Sequence, residues 1–255
     1  MSEHAVMTDI DDGVLTITLN RPAAKNAVNK AVADGIAAAI DELESNPELR
    51  VAILTGAGGT FCSGMDLKAF VTGELPIVDG RGFAGLCEYT PAKPLIAAIE
   101  GYALAGGFEL AISCDLIVAA DDSKFGIPEV KRGLAAGAGG LIKLPKQIPS
   151  RIAKELALTG DFISAQRAFD LGLINEVVPA GSALDAAKAL ARKIAANGPL
   201  AVALSKQVVD SAQDWSSAEM FARQQTIIQP IFTSEDAIEG ATAFAEKRAP
   251  QWKGR

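Results

Sequence analysis

Apolar and polar residues alternate along residues 14–19 (VLTITL), a pattern typical of a β-strand with one face buried. After Asn29 the spacing changes, because apolar residues recur every three or four positions from Val32 to Leu43. That spacing predicts a helix with one apolar face, and Asn29 is a suitable N-cap for it. The apolar run VAILTG (51–56) then predicts a buried strand.

The alternation of strand and helix continues through the middle of the chain. Apolar runs predict three further strands: LIAAIEG (95–101), CDLIVAADD (114–122) and INEVV (174–178). Gly106 and Gly107 indicate a turn that leads into a helix. Close alternation of the two element types is typical of α/β layer architectures, so we predict an α/β fold.

Helical patterns dominate the last third of the chain. Ser150 and Ser164 are predicted N-caps, and Gly160 is a predicted helix end. The segment after the last predicted strand contains no further strand pattern. We therefore divide the chain into an α/β core over residues 1–196 and a helical C-terminal portion over residues 197–255.

Composition and charge narrow the class of protein. The chain has 255 residues, of which 49% are hydrophobic and 22% charged, as in globular proteins with a sizeable core. The formal net charge of −7 disfavours nucleic acid as a partner. Glutamates and glycines interrupt the most apolar long window, residues 95–113, so no membrane association is expected. The first residues lack the pattern of a signal or transit peptide, and we expect a cytoplasmic protein.

The cysteine and histidine content argues against several kinds of covalent, metal and catalytic sites. Cys62, Cys87 and Cys114 are odd in number and lack CxxC spacing, which indicates reduced thiols and neither a disulfide nor a zinc framework. His4 is the single histidine and lies close to the N-terminus. Catalytic triads that depend on histidine and histidine-based metal sites are therefore not expected.

Two glycine-containing turns can present main-chain amides to a ligand. In FCSGMDL (61–67) a glycine turn is followed by a predicted helix start, which leaves the amide of Met65 free to donate. In Ala105-Gly106-Gly107 the turn again leads into a helix, and Gly106 has no side chain to keep a ligand away from its N–H. The two amides could converge on one oxygen atom.

Two carboxylates can also meet. Glu109 lies within the otherwise apolar stretch GYALAGGFELAISCD (101–115), where an unpaired buried carboxylate costs several kcal/mol and needs a partner or a task. Pro128 fixes the backbone just before Glu129. A predicted strand lies between the two glutamates and can return the chain beside the helix of Glu109. An acid pair is therefore geometrically possible.

The order and spacing of these stretches are those of a known family. The sequence resembles the enoyl-CoA hydratase, or crotonase, superfamily along nearly its whole length. The matching segments are LNRPAAKNAVN (19–29), LTGAGGTFCSGMDL (54–67), KPLIAAIEGYALAGGFELAISCDLIVAA (93–120), KFGIPEVKRGLAAGAGG (124–140), LALTGDFISAQRAFDLGLINEVVP (156–179) and AFAEKRAPQWKGR (243–255). The resemblance implies a spiral of ββα-type units with a helical C-terminal portion that builds trimers, often paired into hexamers.

The resemblance also implies roles for four residues. The amides of Met65 and Gly106 match those that flank the thioester carbonyl oxygen of an acyl-CoA. Glu109 and Glu129 match the two glutamates of the hydratases. Retention of both favours hydration of a 2-enoyl-CoA to a 3-hydroxyacyl-CoA, or the reverse, with Glu129 delivering the α-proton and Glu109 orienting and activating water.

Coenzyme A would then be part of the substrate, with no tightly bound cofactor and no metal. The positions that match CoA contacts of the family are Ala24, Lys25, Ala27, Ser63, Asp66 and Leu67, together with Phe244 and Lys247 from a neighbouring subunit. Met65 departs from the small residues common at its position, but only its amide is required. The segment between Phe70 and Tyr89 matches the most variable part of the family and is expected to line the acyl site.

Two alternatives stay open at the level of sequence. One is a different crotonase-type enzyme, such as a carnitinyl-CoA-like dehydratase, an isomerase or a thioester hydrolase, because fold and acid pair do not exclude it. The other is a catalytically silent binding or scaffold protein. The acidic charge balance and the retained acid pair argue against that second alternative.

Overall fold

A six-stranded sheet forms the centre of the computed structural model, which describes residues 4–255. Its strand order is β1-β2-β3-β6-β8-β11, and every neighbouring pair is parallel except the β1–β2 hairpin. A three-stranded sheet of order β10-β9-β7 and the short β4–β5 hairpin complete the strands. The strands are β1 (Val6–Asp11), β2 (Val14–Leu19), β3 (Val51–Gly56), β4 (Ile77–Val78), β5 (Gly82–Phe83), β6 (Leu95–Ile99), β7 (Tyr102–Leu104), β8 (Leu116–Ala120), β9 (Lys124–Gly126), β10 (Ile163–Ser164) and β11 (Glu176–Val178).

Helices cover both faces of the central sheet. They are α1 (Lys30–Ser45), α2 (Leu67–Val71), α3 (Gly106–Ala111), α4 (Gly140–Gln147), α5 (Ser150–Thr159), α6 (Ala165–Asp170), α7 (Ala183–Ala195), α8 (Pro199–Ala212), α9 (Met220–Ile228) and α10 (Glu235–Glu246). Apolar residues of α1 join the larger core on one face, and α7 packs through Ala187 and Ala191 on the other. Burial on both faces explains why Thr16 of β2 is buried, although the alternating pattern predicted a half-exposed strand.

The predicted helix N-caps are confirmed at two of three positions. The side chain of Asn29 accepts a hydrogen bond from the amide of Val32 at 3.2 Å, and Ser164 caps α6 in the same way. The prediction for Ser150 was wrong, because Pro149 occupies the N-cap and Ser150 is the first helical residue. All three cysteines are buried and free, as the sequence predicted.

The two sheets create a repeat that positions the chemistry. Strand β6 of the central sheet leads to β7 of the small sheet and then to α3, and β8 leads in the same way to β9 and a 3-10 helix (Pro128–Arg132). Strands β7 and β9 pair in parallel, with Leu104 opposite Gly126. Because parallel strands end at the same sheet edge, the segments that follow them emerge side by side.

The chain after Gly198 contains only helices among its regular elements: α8, α9, a 3-10 helix (Gln229–Thr233) and α10. No residue of α8 or α9 is buried. Trp252 returns to the core region, where its indole N–H donates to the carbonyl of Ala196 at 2.8 Å. In the part of the chain that the structure describes, no helix combines the length and the apolar character needed to cross a membrane.

Candidate active site

The amides of Met65 and Gly106 lie at neighbouring turns. A Cβ atom built on Gly64, whose φ is +101°, would lie 3.2 Å from the Gly106 nitrogen and 2.8 Å from the Ala105 Cβ. Within residues 4–255, neither the Met65 amide nor the Gly106 amide has a hydrogen-bond acceptor. Two main-chain donors are therefore held close together and available to a ligand.

Met65 is positioned differently from the sequence prediction. It does not begin a helix, because α2 starts at Leu67 and Asp66 is its N-cap. Met65 instead forms an isolated parallel bridge with Val28, in which Val28 donates to the carbonyl of Gly64 and Asp66 donates to the carbonyl of Val28. The bridge, and not a helix dipole, fixes the direction of this amide.

The turn before Gly106 is strained. Ala105 has φ +52° and ψ −130°, a region that residues with a Cβ rarely occupy. The Ala105 N–H donates to the carbonyl of Gly126 at 2.8 Å, and the Ala105 carbonyl accepts from the amides of Phe108 and Glu109. These three hydrogen bonds hold the strained residue and so determine where α3 and its first amide lie.

One cavity, with a volume of about 730 Å³, is lined by all four predicted catalytic residues: Met65, Gly106, Glu109 and Glu129. Most of its remaining wall is apolar, including Phe70, Leu75, Ile77, Phe83, Leu134 and Phe162. Cavities that combine an apolar wall with a few convergent polar groups are typical of small-molecule sites.

Glu109 is 3% exposed and projects from α3 toward the N-terminus of α4. Its Oε1 accepts a hydrogen bond from the amide of Gly140 at 2.8 Å. Burial, and to a smaller extent the charge of Glu129, raise the pKa of Glu109 to about 7, and this net value includes the opposing effects of the Gly140 and Ala138 amides and of the Lys143 charge. A carboxyl with this pKa can exchange a proton at neutral pH.

Glu129 lies on the 3-10 helix that follows β9, and burial also raises its pKa, opposed by a main-chain hydrogen bond and by the charge of Arg132. Its Oε2 is buried and has no hydrogen-bond partner among the described residues. A buried polar atom without a partner is unusual away from functional sites. The two carboxyl groups line the same cavity, and the charge of Glu129 raises the pKa of Glu109, as expected for neighbouring acids.

The predicted CoA positions divide into three groups. Lys25, Ser63 and Leu67 line the cavity, and the ammonium of Lys25 lies 5.5 Å from the centre of the Tyr102 ring. The second group does not line the cavity and lies in the adjoining loops: Ala24, Ala27 and Asp66. The guanidinium of Arg21 joins these loops, because it donates to both the Asp66 carboxylate and the Ala27 carbonyl. Phe244 and Lys247 lie at the exposed end of α10, away from this cavity in the single chain.

Gly140 donates to Glu109 from the N-terminus of α4 and was not predicted as a site residue. A signal existed for Gly140, because the glycine-rich segment 137–140 precedes an apolar run and indicates a helix N-terminus. Phe83 and Glu88 belong to the segment between Phe70 and Tyr89, which the resemblance led us to expect at the acyl site, and both line this cavity.

Known proteins of one family are similar to this chain over nearly its whole length. A family model described as enoyl-CoA hydratase/isomerase matches residues 9–255. A carnitinyl-CoA dehydratase from Proteus mirabilis (strain HI4320) is 43% identical over 250 residues, 95% of each chain. A crystal structure of an enoyl-CoA hydratase from Mycobacterium tuberculosis H37Rv is 60% identical with a TM-score of 0.97, covering 99% of this chain and 100% of that one. A crystal structure of a carnitinyl-CoA hydratase from Mycobacterium avium is 45% identical with a TM-score of 0.81, and both chains are covered completely.

Proposed function

Because this chain belongs to the enoyl-CoA hydratase/isomerase, or crotonase, family, we propose that it adds and removes water across the C2–C3 bond of an acyl-CoA thioester. The observation that carries the proposal is the cavity lined by two unpartnered amides and two carboxyl groups with raised pKa. Each set of groups has a separate task in this reaction.

The amides of Met65 and Gly106 stabilise the charge that develops on the thioester oxygen. When the oxygen of water bonds to C3, the electrons of the C2–C3 double bond shift toward the thioester carbonyl and form an enolate. Main-chain donors that are already oriented stabilise that oxygen without reorganising, and removal of one such donor typically lowers the rate by about 10²–10³.

The carboxyl groups move the two protons. Glu109, as the carboxylate, takes a proton from water while the oxygen of that water bonds to C3. Glu129, as the acid, gives a proton to C2 of the enolate, so that one water has been added in total. Two nearby carboxyl groups that cannot easily ionise together suit this division, because one retains a proton while the other is charged.

Among acyl-CoA lyases we assign the chain to the dehydration of carnitinyl-CoA, a 3-hydroxyacyl thioester with a trimethylammonium group at C4. Relatives described as carnitinyl-CoA dehydratase are 42–43% identical over 95–100% of their length. A general 2-enoyl-CoA hydratase is the second candidate, because solved structures with that description are 60% identical to this chain.

Loss of water converts carnitinyl-CoA into the 2-enoyl thioester crotonobetainyl-CoA. The hydration rates of crotonobetainyl-CoA and of uncharged crotonyl-CoA therefore test the assignment. We expect kcat/KM to be at least about tenfold higher for crotonobetainyl-CoA, measured as loss of the conjugated thioester absorbance and as a product heavier by one water. Faster hydration of crotonyl-CoA would support the second candidate instead. If water is added to neither thioester, the proposed reaction is wrong.

We also propose that the chain acts as a homotrimer, or as a homohexamer made of two such trimers. The absence of buried residues in α8 and α9, together with the exposed rings of Phe221 and Phe232, supports an assembly surface there. In such an assembly Phe244 and Lys247 would approach the nucleotide of a CoA bound by a neighbouring subunit. Lys25, Ser63 and Leu67 would contact the same CoA from their own subunit's cavity.

A further inference from the structure

A third glutamate lines the cavity of the acid pair. Glu88 follows the β4–β5 hairpin and is solvent-accessible at the cavity wall. Within residues 4–255 its carboxylate takes part in no hydrogen bond and no ion pair with another side chain. The reaction described above assigns it no task, so this negative charge is available to a ligand.

The local fold fixes the backbone of Glu88 and leaves space for its carboxylate. Its backbone N–H donates to the carbonyl of Arg81 at 2.9 Å, which closes the turn over residues 81–88. A Cβ atom on Gly82 would lie 2.6 Å from the Glu88 Oε1. Gly82 has φ +70°, so glycine suits the backbone there and also leaves the space that the carboxylate occupies.

Phe83 connects this carboxylate with the oxyanion amide. A Cβ atom on Gly106 would lie 2.6 Å from the Phe83 Cζ, so the phenyl ring lies against that turn. Gly82, the residue before Phe83, contacts Glu88. A thioester whose oxygen is bound at Gly106 would therefore have Phe83 beside it, in the cavity that Glu88 also lines.

Nearby cations make their direct contacts with other groups, although the charge of Glu88 raises the pKa of Lys143. Arg81 pairs with Asp41 and lies 4.2 Å from the centre of the Tyr89 ring. The ammonium of Lys143 donates to the Cys87 carbonyl at 2.7 Å and to the Ser113 hydroxyl at 2.8 Å.

The two cationic residues that line the cavity are also separate from Glu88. Arg132 lowers the pKa of Glu129, and Lys25 lies over Tyr102. The Glu88 carboxylate and the Phe83 aromatic ring therefore line one cavity from neighbouring positions of the same turn. Quaternary ammonium groups are recognised by that combination.

We propose that Glu88 is a specificity-determining residue that binds the cationic end of the acyl group, with the Phe83 ring packed beside the same group. The inference rests on the proposed function, because it requires the thioester to be bound at Met65 and Gly106. It names the acyl class as one with a quaternary ammonium group close to C4.

Two saturated thioesters test the proposal without any chemical turnover. One is 4-trimethylammoniobutanoyl-CoA, and the other is its uncharged carbon isostere, 5,5-dimethylhexanoyl-CoA. Neither can gain water, so calorimetry measures binding alone. In the Glu88→Gln variant we expect Kd for the cationic thioester to rise about fivefold or more, as loss of one partly exposed charge pair predicts, and Kd for the isostere to change less than about twofold.

A matched control is Glu42→Gln, which removes the same charge from an exposed residue of α1 outside the cavity and should change neither Kd. Equal effects of Glu88→Gln on both thioesters, or no effect on the cationic one, would overturn the inference. Hydration assays keep its failure distinct from that of the proposed function. If the wild type hydrates no enoyl-CoA but Glu88→Gln selectively weakens binding of the cationic thioester, only the proposed reaction is refuted. If the wild type hydrates its substrate but Glu88→Gln causes no such selective weakening, only the role of Glu88 is refuted.

Discussion

Replacing Glu109 by glutamine is expected to lower kcat by about 10²-fold or more, in line with the usual contribution of a general base. Glutamine has nearly the same size, and its side-chain oxygen can still accept the hydrogen bond from Gly140. It cannot accept a proton from water. The wild-type rate should also fall as the pH drops through about 7, where Glu109 takes up a proton, and the variant should lack that decline. Steady-state hydration between pH 5 and 9 measures both effects.

The same substitution is expected to stabilise the protein at alkaline pH. The folded-state pKa of Glu109 is about 7, above its ordinary value of 4.5, so above pH 7 the native state carries a buried charge that disfavours folding. Removal of that charge should raise the free energy of unfolding by an amount on the order of 2–3 kcal/mol. The gain should shrink as the pH falls from 7 toward 4.5, because the folded carboxyl becomes neutral. Urea unfolding at pH 8 and pH 5, at one protein concentration, measures the difference.

Glu129→Gln should lower kcat by a similar factor of about 10², because the proton for C2 is lost. Glu42→Gln serves as the control for both variants, and its activity should equal that of the wild type. Near-normal hydration by either active-site variant would contradict the acid-pair assignment. Unchanged stability of Glu109→Gln at pH 8 would contradict the cost ascribed to the buried charge.

The Gly64→Ala variant is expected to lower kcat by about 10–10³-fold, since misdirecting one oxyanion donor approaches the effect of deleting it. The added methyl group would lie 3.2 Å from the Gly106 nitrogen and 2.8 Å from the Ala105 Cβ, so the two turns must separate. The positive φ of +101° also strains alanine and should lower stability by about 1–2 kcal/mol.

The Gly172→Ala variant separates the effect of a positive φ on stability from the effect of a close contact between the two turns on activity. Gly172 also has a positive φ, +76°, but no atom lies within 4 Å of a Cβ atom built there. This control should lose a comparable amount of stability and retain its activity. If Gly64→Ala is folded and hydrates its substrate at the normal rate, the two turns do not form the oxyanion site.

Much of the fold could be predicted from periodicity, because long elements repeat their pattern over several turns or residues. Helix α1 with its Asn29 cap, and the five parallel strands of the central sheet, are confirmed. Strands β7 and β10 were missed, since two or three residues carry no period. Strand β1 was missed despite an available signal: Asp12-Gly13 forms the tight turn of the β1–β2 hairpin with positive φ at both residues.

The active site was accessible from the sequence only in part. A carboxylate in an apolar run made Glu109 conspicuous, and the resemblance to the crotonase superfamily, now confirmed, related it to Met65, Gly106 and Glu129. The names of the relatives favour the carnitinyl-CoA alternative over the general hydratase that the acid pair suggested. The proximity of Gly82 and Glu88 at the cavity wall is a tertiary contact that composition and spacing do not reveal.

A crystal structure of the Glu129→Gln variant with bound crotonobetainyl-CoA tests the central claim most directly. We expect the thioester oxygen to lie about 2.7–3.1 Å from the main-chain nitrogens of both Met65 and Gly106, with C3 facing Glu109. A thioester oxygen bound by other groups, or directed away from these two amides, would contradict it.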